Sequence, residues 1–139
     1  MTPFIAQYLP DEDIEVFEKV RKAINALPDK LDLGEFEPGK PMKFTCHILA
    51  EAVARSFDLE RVSGFFHDGV EHSWVVTRSR NIIDVYPAAI FGGPILVVRW
   101  SLTGRLYVKE EIRPDIFESL SFKKAVQAVA AELQKLKSH

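Results

Sequence analysis

The sequence predicts an α+β domain, and three observations predict it. Apolar residues recur every three or four positions near both ends of the chain and again after Thr45, the spacing of helices with one buried face. Between residues 61 and 110 the period shortens to two, in five short runs of β-branched and aromatic residues. Gly64, Gly69, Gly92, Gly93 and Gly104 punctuate those runs, so the connections are short and neighbouring strands should be antiparallel. Helices and strands therefore occupy separate stretches of chain. A length of 139 residues suits one domain, 1–139, with its own hydrophobic core.

The first helix rests on Ile14, Phe17, Val20, Ile24 and Leu27. Asp11 or Asp13 can cap its start, and Pro28 closes it. Residues 29–44 hold two Gly, two Pro and many charges, which reads as a loop long enough to serve a site. A second helix should open with Thr45 as N-cap, bury Ile48, Leu49, Ala52 and Val53, and end near Phe57 and Asp58. Strands are expected at 61–67, 73–78, 82–86, 95–100 and 105–110. The stretch Phe91-Gly92-Gly93-Pro94-Ile95 lacks the Lys and Ser/Thr of a phosphate loop and reads as a turn or bulge. A final helix should start near Ser121 and bury Phe122, Ala125, Val126, Val129, Leu133 and Leu136. Lys135 and Lys137 suit the negative end of its dipole.

Composition removes several classes of function. The net charge is −2 and no basic stripe stands out, so no nucleic-acid partner is expected. The first fifteen residues have neither the cationic start nor the apolar run of a secretory signal. The longest apolar stretch, residues 88–98, is short of the ~20 residues of a membrane helix. Cys46 is the only cysteine, which fits a reducing compartment. A cytoplasmic protein with no membrane partner and no cofactor is the expectation; its oligomeric state is left open.

The chemistry concentrates in three residues. Cys46 falls at the first position of its helix and off the apolar stripe, where free N–H groups and the helix dipole favour a thiolate. A thiolate nucleophile works with an imidazole beside it, and the imidazole with a carboxylate that fixes its orientation. His72 and Asp84 lie in successive expected strands and supply both. Turn length decides whether they meet. A two-residue turn at Ser79 and Arg80 would point Asp84 away from the face of His72. An odd-length turn, such as residues 78–80, places Trp74 opposite Asp84 with His72 on the adjacent diagonal. A Cys46–His72–Asp84 site therefore requires a three- or five-residue turn, or a bulge.

Cys46 at a helix start, the strand segment His72-Ser73-Trp74, and an aspartate twelve residues after the histidine together resemble the transglutaminase-like branch of the papain-like cysteine peptidases. The leader-processing proteases of lasso-peptide pathways are similar in this respect. The likeness covers residues 45–87, about a third of the chain. It implies a papain-like core in which an antiparallel sheet of about five strands packs on the nucleophile helix. Cys46 would be the nucleophile, His72 the base and Asp84 the orienting acid. The implied activity is acyl transfer on a peptide or side-chain amide: peptidase, amidase or deamidase if water resolves the thioester, transglutamination if an amine does. The partner would be a peptide or protein substrate, short or presented by another protein. The glutamine that such peptidases carry before the cysteine, as an oxyanion donor, is absent from residues 38–45. Gln7, Lys43 and Trp74 are the candidates to replace it.

Each residue also has a plainer reading. Free cysteines are often simply buried, and Asp84 could pair with Arg78, Arg80 or Arg99. Trp74 serves either as a core aromatic or as a wall of the substrate site. Cys46, His47, His67 and His72 could be metal ligands, although their spacing matches no closed zinc pattern. The triad residues could also persist in a non-catalytic interaction module.

Overall fold

The computed structural model describes residues 9–28, 30–67, 69–86, 93–112 and 114–137. Its elements in order are α1 (Asp11–Asn25), β1 (Glu35–Glu37), β2 (Lys40–Pro41), α2 (Cys46–Phe57), β3 (Glu60–Phe66), β4 (Val70–Val76), β5 (Ile82–Asp84) and β6 (Ile95–Val97). A 3-10 turn (Gly104–Leu106), β7 (Tyr107–Lys109), α3 (Pro114–Glu118) and α4 (Leu120–Lys137) complete the chain. The architecture is α+β, with a five-stranded sheet in the order β6-β5-β4-β3-β7, every pair antiparallel. Among the described residues no helix is long and apolar enough to cross a membrane.

The principal core forms where α1, α2 and α4 meet one face of the sheet. Phe17, Val20 and Ile24 of α1, Ile48, Leu49 and Val53 of α2, and Phe122, Val126, Val129 and Leu133 of α4 are buried there with Val75, Ile83 and Val85. α2 contacts α4 as well as β4 and β3. Side chains alternate along a strand, so the neighbours of Val75 on β4 turn the other way. Trp74 and Val76 join Val62, Ile82 and Val97 in a second, smaller cluster with Tyr107 against it. His72 shares this face.

Local chemistry explains most boundaries. Thr45 caps α2, its Oγ1 accepting from the Ile48 N–H at 3.2 Å, and Asp58 ends the helix in the left-handed region at φ 54°. Residues 30–44 are more ordered than a loop: Pro38 and Gly39 turn β1 into β2, with Gly39 at φ 80°. Both strands are exposed and charged, so no period of two marks them. Neither Asp11 nor Asp13 caps α1. The carbonyl of Pro10 takes the N–H groups of Asp13 and Ile14, and the Asp13 carboxylate turns inward to Thr77 and Asn81. Ser119, two residues before the expected Ser121, accepts from the Phe122 N–H at the start of α4. The short helix α3 had no periodic signal.

The strands begin and end differently from expectation. β4 starts at Val70, and the run at 95–100 stops at Val97, where Ser101 hydrogen-bonds back to the Val98 carbonyl. The chain then crosses to the far edge of the sheet, and β7 pairs with β3. Two glycines permit that crossing. A Cβ on Gly104 would lie 2.4 Å from the Val98 carbonyl oxygen, and one on Gly64 would lie 1.9 Å from that of Val108. Residues 87–92, which include part of the glycine-proline stretch, lie outside the described residues.

Candidate active site

β4 and β5 are joined by the three-residue turn 78–80. The Thr77 N–H donates to Asn81 O at 2.9 Å, the Arg80 N–H donates to Thr77 O at 2.9 Å, and Arg80 takes φ 69°. Val75 and Val76 then pair with Ile83 and Ile82. Continuing the alternation brings Asp84 to the face of Trp74 and His72. His72 Nε2 donates to Asp84 Oδ2 at 2.8 Å. The two residues are 9% and 5% exposed, so this charge-assisted bond is shielded from water. None of Arg78, Arg80 and Arg99 is the partner of Asp84: Arg78 approaches Glu12, Arg80 binds Glu60, and the Arg99 N–H donates to Asn81.

α2 aims the thiol at this pair. Cys46 is the first residue of the helix, partly exposed, and the imidazoles of both His72 and His47 lie near enough to act on its thiol. Because Nε2 of His72 is engaged by Asp84, Nδ1 is the nitrogen left to face sulfur. Burial pushes the Cys46 thiol up, but the imidazoles of His47 and His72 outweigh it and bring the pKa down to about 6. Burial pulls His72 down, but the bonds and charges of Asp84 and Cys46 outweigh that and raise it to about 9. Near neutral pH the stable arrangement is a thiolate beside an imidazolium. The first N–H groups of α2, which have no intrahelical partner, add to the stabilisation of the anion.

Four aromatic or polar neighbours complete the surroundings. The rings of Phe66, Trp74 and Tyr107 lie 6.0, 6.1 and 6.2 Å from that of His72. Tyr107 also donates its hydroxyl to Asp84 Oδ2 at 2.7 Å, and the Tyr86 N–H donates to Oδ1 at 3.1 Å. Burial first, then the Asp84 charge and hydrogen bond, hold the Tyr107 hydroxyl well above its ordinary pKa, so it stays a donor. Trp74, at 2% exposure, packs in the small cluster beside His72, edge-on to Tyr107 at 5.1 Å. Lys43 is exposed, and Gln7 lies outside the described residues. His67 follows the end of β3 and is exposed. Among the described residues no group of three or more His, Cys, Asp or Glu is placed to hold a metal ion.

Sequence reasoning missed Tyr107 and the role of His47 as a neighbour of the thiol. A tyrosine in a short strand carries no local signal, and β7 reaches Asp84 only through the crossover to the far edge. For His47 a signal was present: at a helix start, adjacent residues both lie near whatever the helix end faces. Comparison with protein-family models, with curated proteins and with solved structures gave no match to the chain.

Proposed function

We propose that this protein is a cysteine-dependent acyl-transfer enzyme of transglutaminase-like or papain-like type, acting on a peptide or side-chain amide. The observation that carries the reading is the buried His72–Asp84 hydrogen bond with the Cys46 thiol at a helix start beside His72. The order of elements, helix with Cys46, one strand, then strands with His72 and Asp84, supports the likeness to that superfamily. In this mechanism the Cys46 thiolate attacks the carbonyl carbon, and the His72 imidazolium protonates the leaving amine. Asp84 holds the ring throughout. Water or a second amine then resolves the thioester, with His72 acting as base.

The test is the rate of Cys46 alkylation by iodoacetamide against pH, in the wild type and in His72→Ala. The wild type should react with a midpoint near 6, and the variant with a midpoint shifted toward ~8.5 and a slower rate at neutral pH. An ordinary midpoint shared by both proteins would overturn the reading and favour a packed or idle cysteine.

A further inference from the structure

The acyl-transfer reading leaves one requirement unmet: a side-chain donor for the oxyanion. Two consecutive residues of α2 meet two consecutive residues of β4. Cys46 meets His72, and His47 meets Ser73, with Nδ1 at 2.7 Å from Ser73 Oγ. The contact does not stop there. Ser73 Oγ lies 2.7 Å from Ser63 Oγ, its directly paired residue on β3, and Ser63 Oγ accepts from Arg61 Nη1. Arg61 is fixed in turn: its Nε donates to Glu51 Oε2 at 2.6 Å, and its guanidinium lies 3.9 Å above the Phe117 ring. Phe117 also packs edge-on to the His47 ring at 5.6 Å.

The cationic end favours one direction for this chain. A guanidinium has only donors, so Ser63 Oγ is the acceptor there. The hydrogen of Ser63 then goes to its other partner, Ser73 Oγ. In that direction the hydrogen of Ser73 goes to His47 Nδ1, which accepts it. A neutral imidazole that accepts at Nδ1 carries its proton on Nε2. Each bond polarises the next, which strengthens the preference for this tautomer. Nδ1 being occupied, Nε2–H is the side of the ring left for the reacting sulfur.

We propose that His47 is a second catalytic residue, whose Nε2–H stabilises the oxyanion formed on a carbonyl attacked by Cys46. This inference rests on the acyl-transfer reading above. When the thiolate pair forms the S–C bond, the π pair of C=O moves to oxygen, one bond from the carbon that sulfur has joined. His47 Nε2–H then donates to that oxygen and keeps its proton. Collapse returns the pair, the bond from carbon to the leaving nitrogen breaks, and His72 supplies the proton that nitrogen takes. His47 thus occupies the role left empty by the absent glutamine.

Two probes separate the possibilities on the full chain. Iodoacetamide is attacked at a saturated carbon and forms no oxyanion; p-nitrophenyl acetate is attacked at a carbonyl and does. Both rates are measured at a pH where each protein's alkylation has reached its plateau, which removes any change in thiol ionisation. His47→Ala should keep its alkylation rate within about threefold while thiol acylation falls ~10²–10³-fold, the loss typical of one oxyanion donor. His47→Gln, which restores a side-chain N–H, should recover at least about tenfold of that loss. Equal losses in both reactions would assign His47 to structure and overturn the proposal, as would unchanged acylation in His47→Ala. Slow alkylation in the wild type itself would instead remove the acyl-transfer reading, and this inference with it.

Discussion

Asp84 carries a charge among Ile82, Ile83 and Val85, and a buried carboxylate is tolerable only when donors surround it. It has three: His72 Nε2, the Tyr107 hydroxyl and the Tyr86 N–H. Tyr107→Phe removes one of them and keeps the ring. We expect the variant to lose about 1.5–3 kcal/mol of stability in urea denaturation, the usual value of a hydrogen bond to a charged group. A loss under ~0.5 kcal/mol would show that water replaces the hydroxyl. At this scale the sequence was informative wherever a residue contradicted its surroundings. Cys46 stood off an apolar stripe, and Asp84 interrupted an apolar strand, so their approach to His72 could be read in advance. Tyr107 and Ser73 contradict nothing locally, and only long-range pairing reveals what they touch.

The turn between β4 and β5 is the element on which the site's alignment depends. Its third residue, Arg80, holds a left-handed backbone that costs an L-residue about 1–2 kcal/mol. Arg80 also binds Glu60 at the surface, so its replacement mixes two effects. Comparing two variants separates them. Arg80→Ala and Arg80→Gly both lose the ion pair, and only glycine relieves the backbone. Allowing for glycine's greater freedom in the unfolded chain, Arg80→Gly should be the more stable of the two by about 1 kcal/mol in denaturant unfolding. Equal stabilities would mean that the turn relaxes in both variants. The elements legible in the sequence were those with strong periodicity and a chemical cap, α2 above all, with Thr45 at one end and Asp58 at the other. The β1–β2 hairpin escaped notice because both of its strands are solvated and charged. The start of α4 was misplaced by two residues because Ser119 and Ser121 offer the same chemistry, and only position relative to the Phe122 N–H distinguishes them.

Across the whole molecule, the α+β class and the five-stranded antiparallel sheet followed from periodicity, whereas the position of β7 at the far edge did not. That crossing depends on close backbone approaches at Gly64 and Gly104, and close approach has no signature beyond the glycine itself. The pair of shifted ionisations has a consequence for global stability. His72, raised from 6.5 to about 9, contributes stability that is complete below ~6.5 and disappears as pH rises through 9. Cys46, lowered to about 6, contributes stability that is complete above ~8.5 and disappears as pH falls through 6. Between ~6.5 and ~8.5 the folded chain keeps one proton on His72 and the unfolded chain keeps one on Cys46. Unfolding then exchanges no proton at this pair, and the two slopes cancel. Cys46→Ala breaks the cancellation, since Asp84 still holds the imidazolium. The difference in unfolding free energy between wild type and Cys46→Ala, measured across that window, should grow in favour of the wild type as pH rises. The limit is about 1.4 kcal/mol per pH unit, the value for one proton. A flat difference would show that the pair does not ionise as described.

The solitary thiol has a redox consequence as well. A thiolate is the form that peroxide oxidises, and the first product, a sulfenic acid, escapes further oxidation when a second thiol captures it as a disulfide. Cys46 has no such companion within the chain. Any repair of the oxidised sulfur must therefore come from a thiol supplied from outside, before oxidation passes to the sulfinic stage from which ordinary thiols cannot recover it.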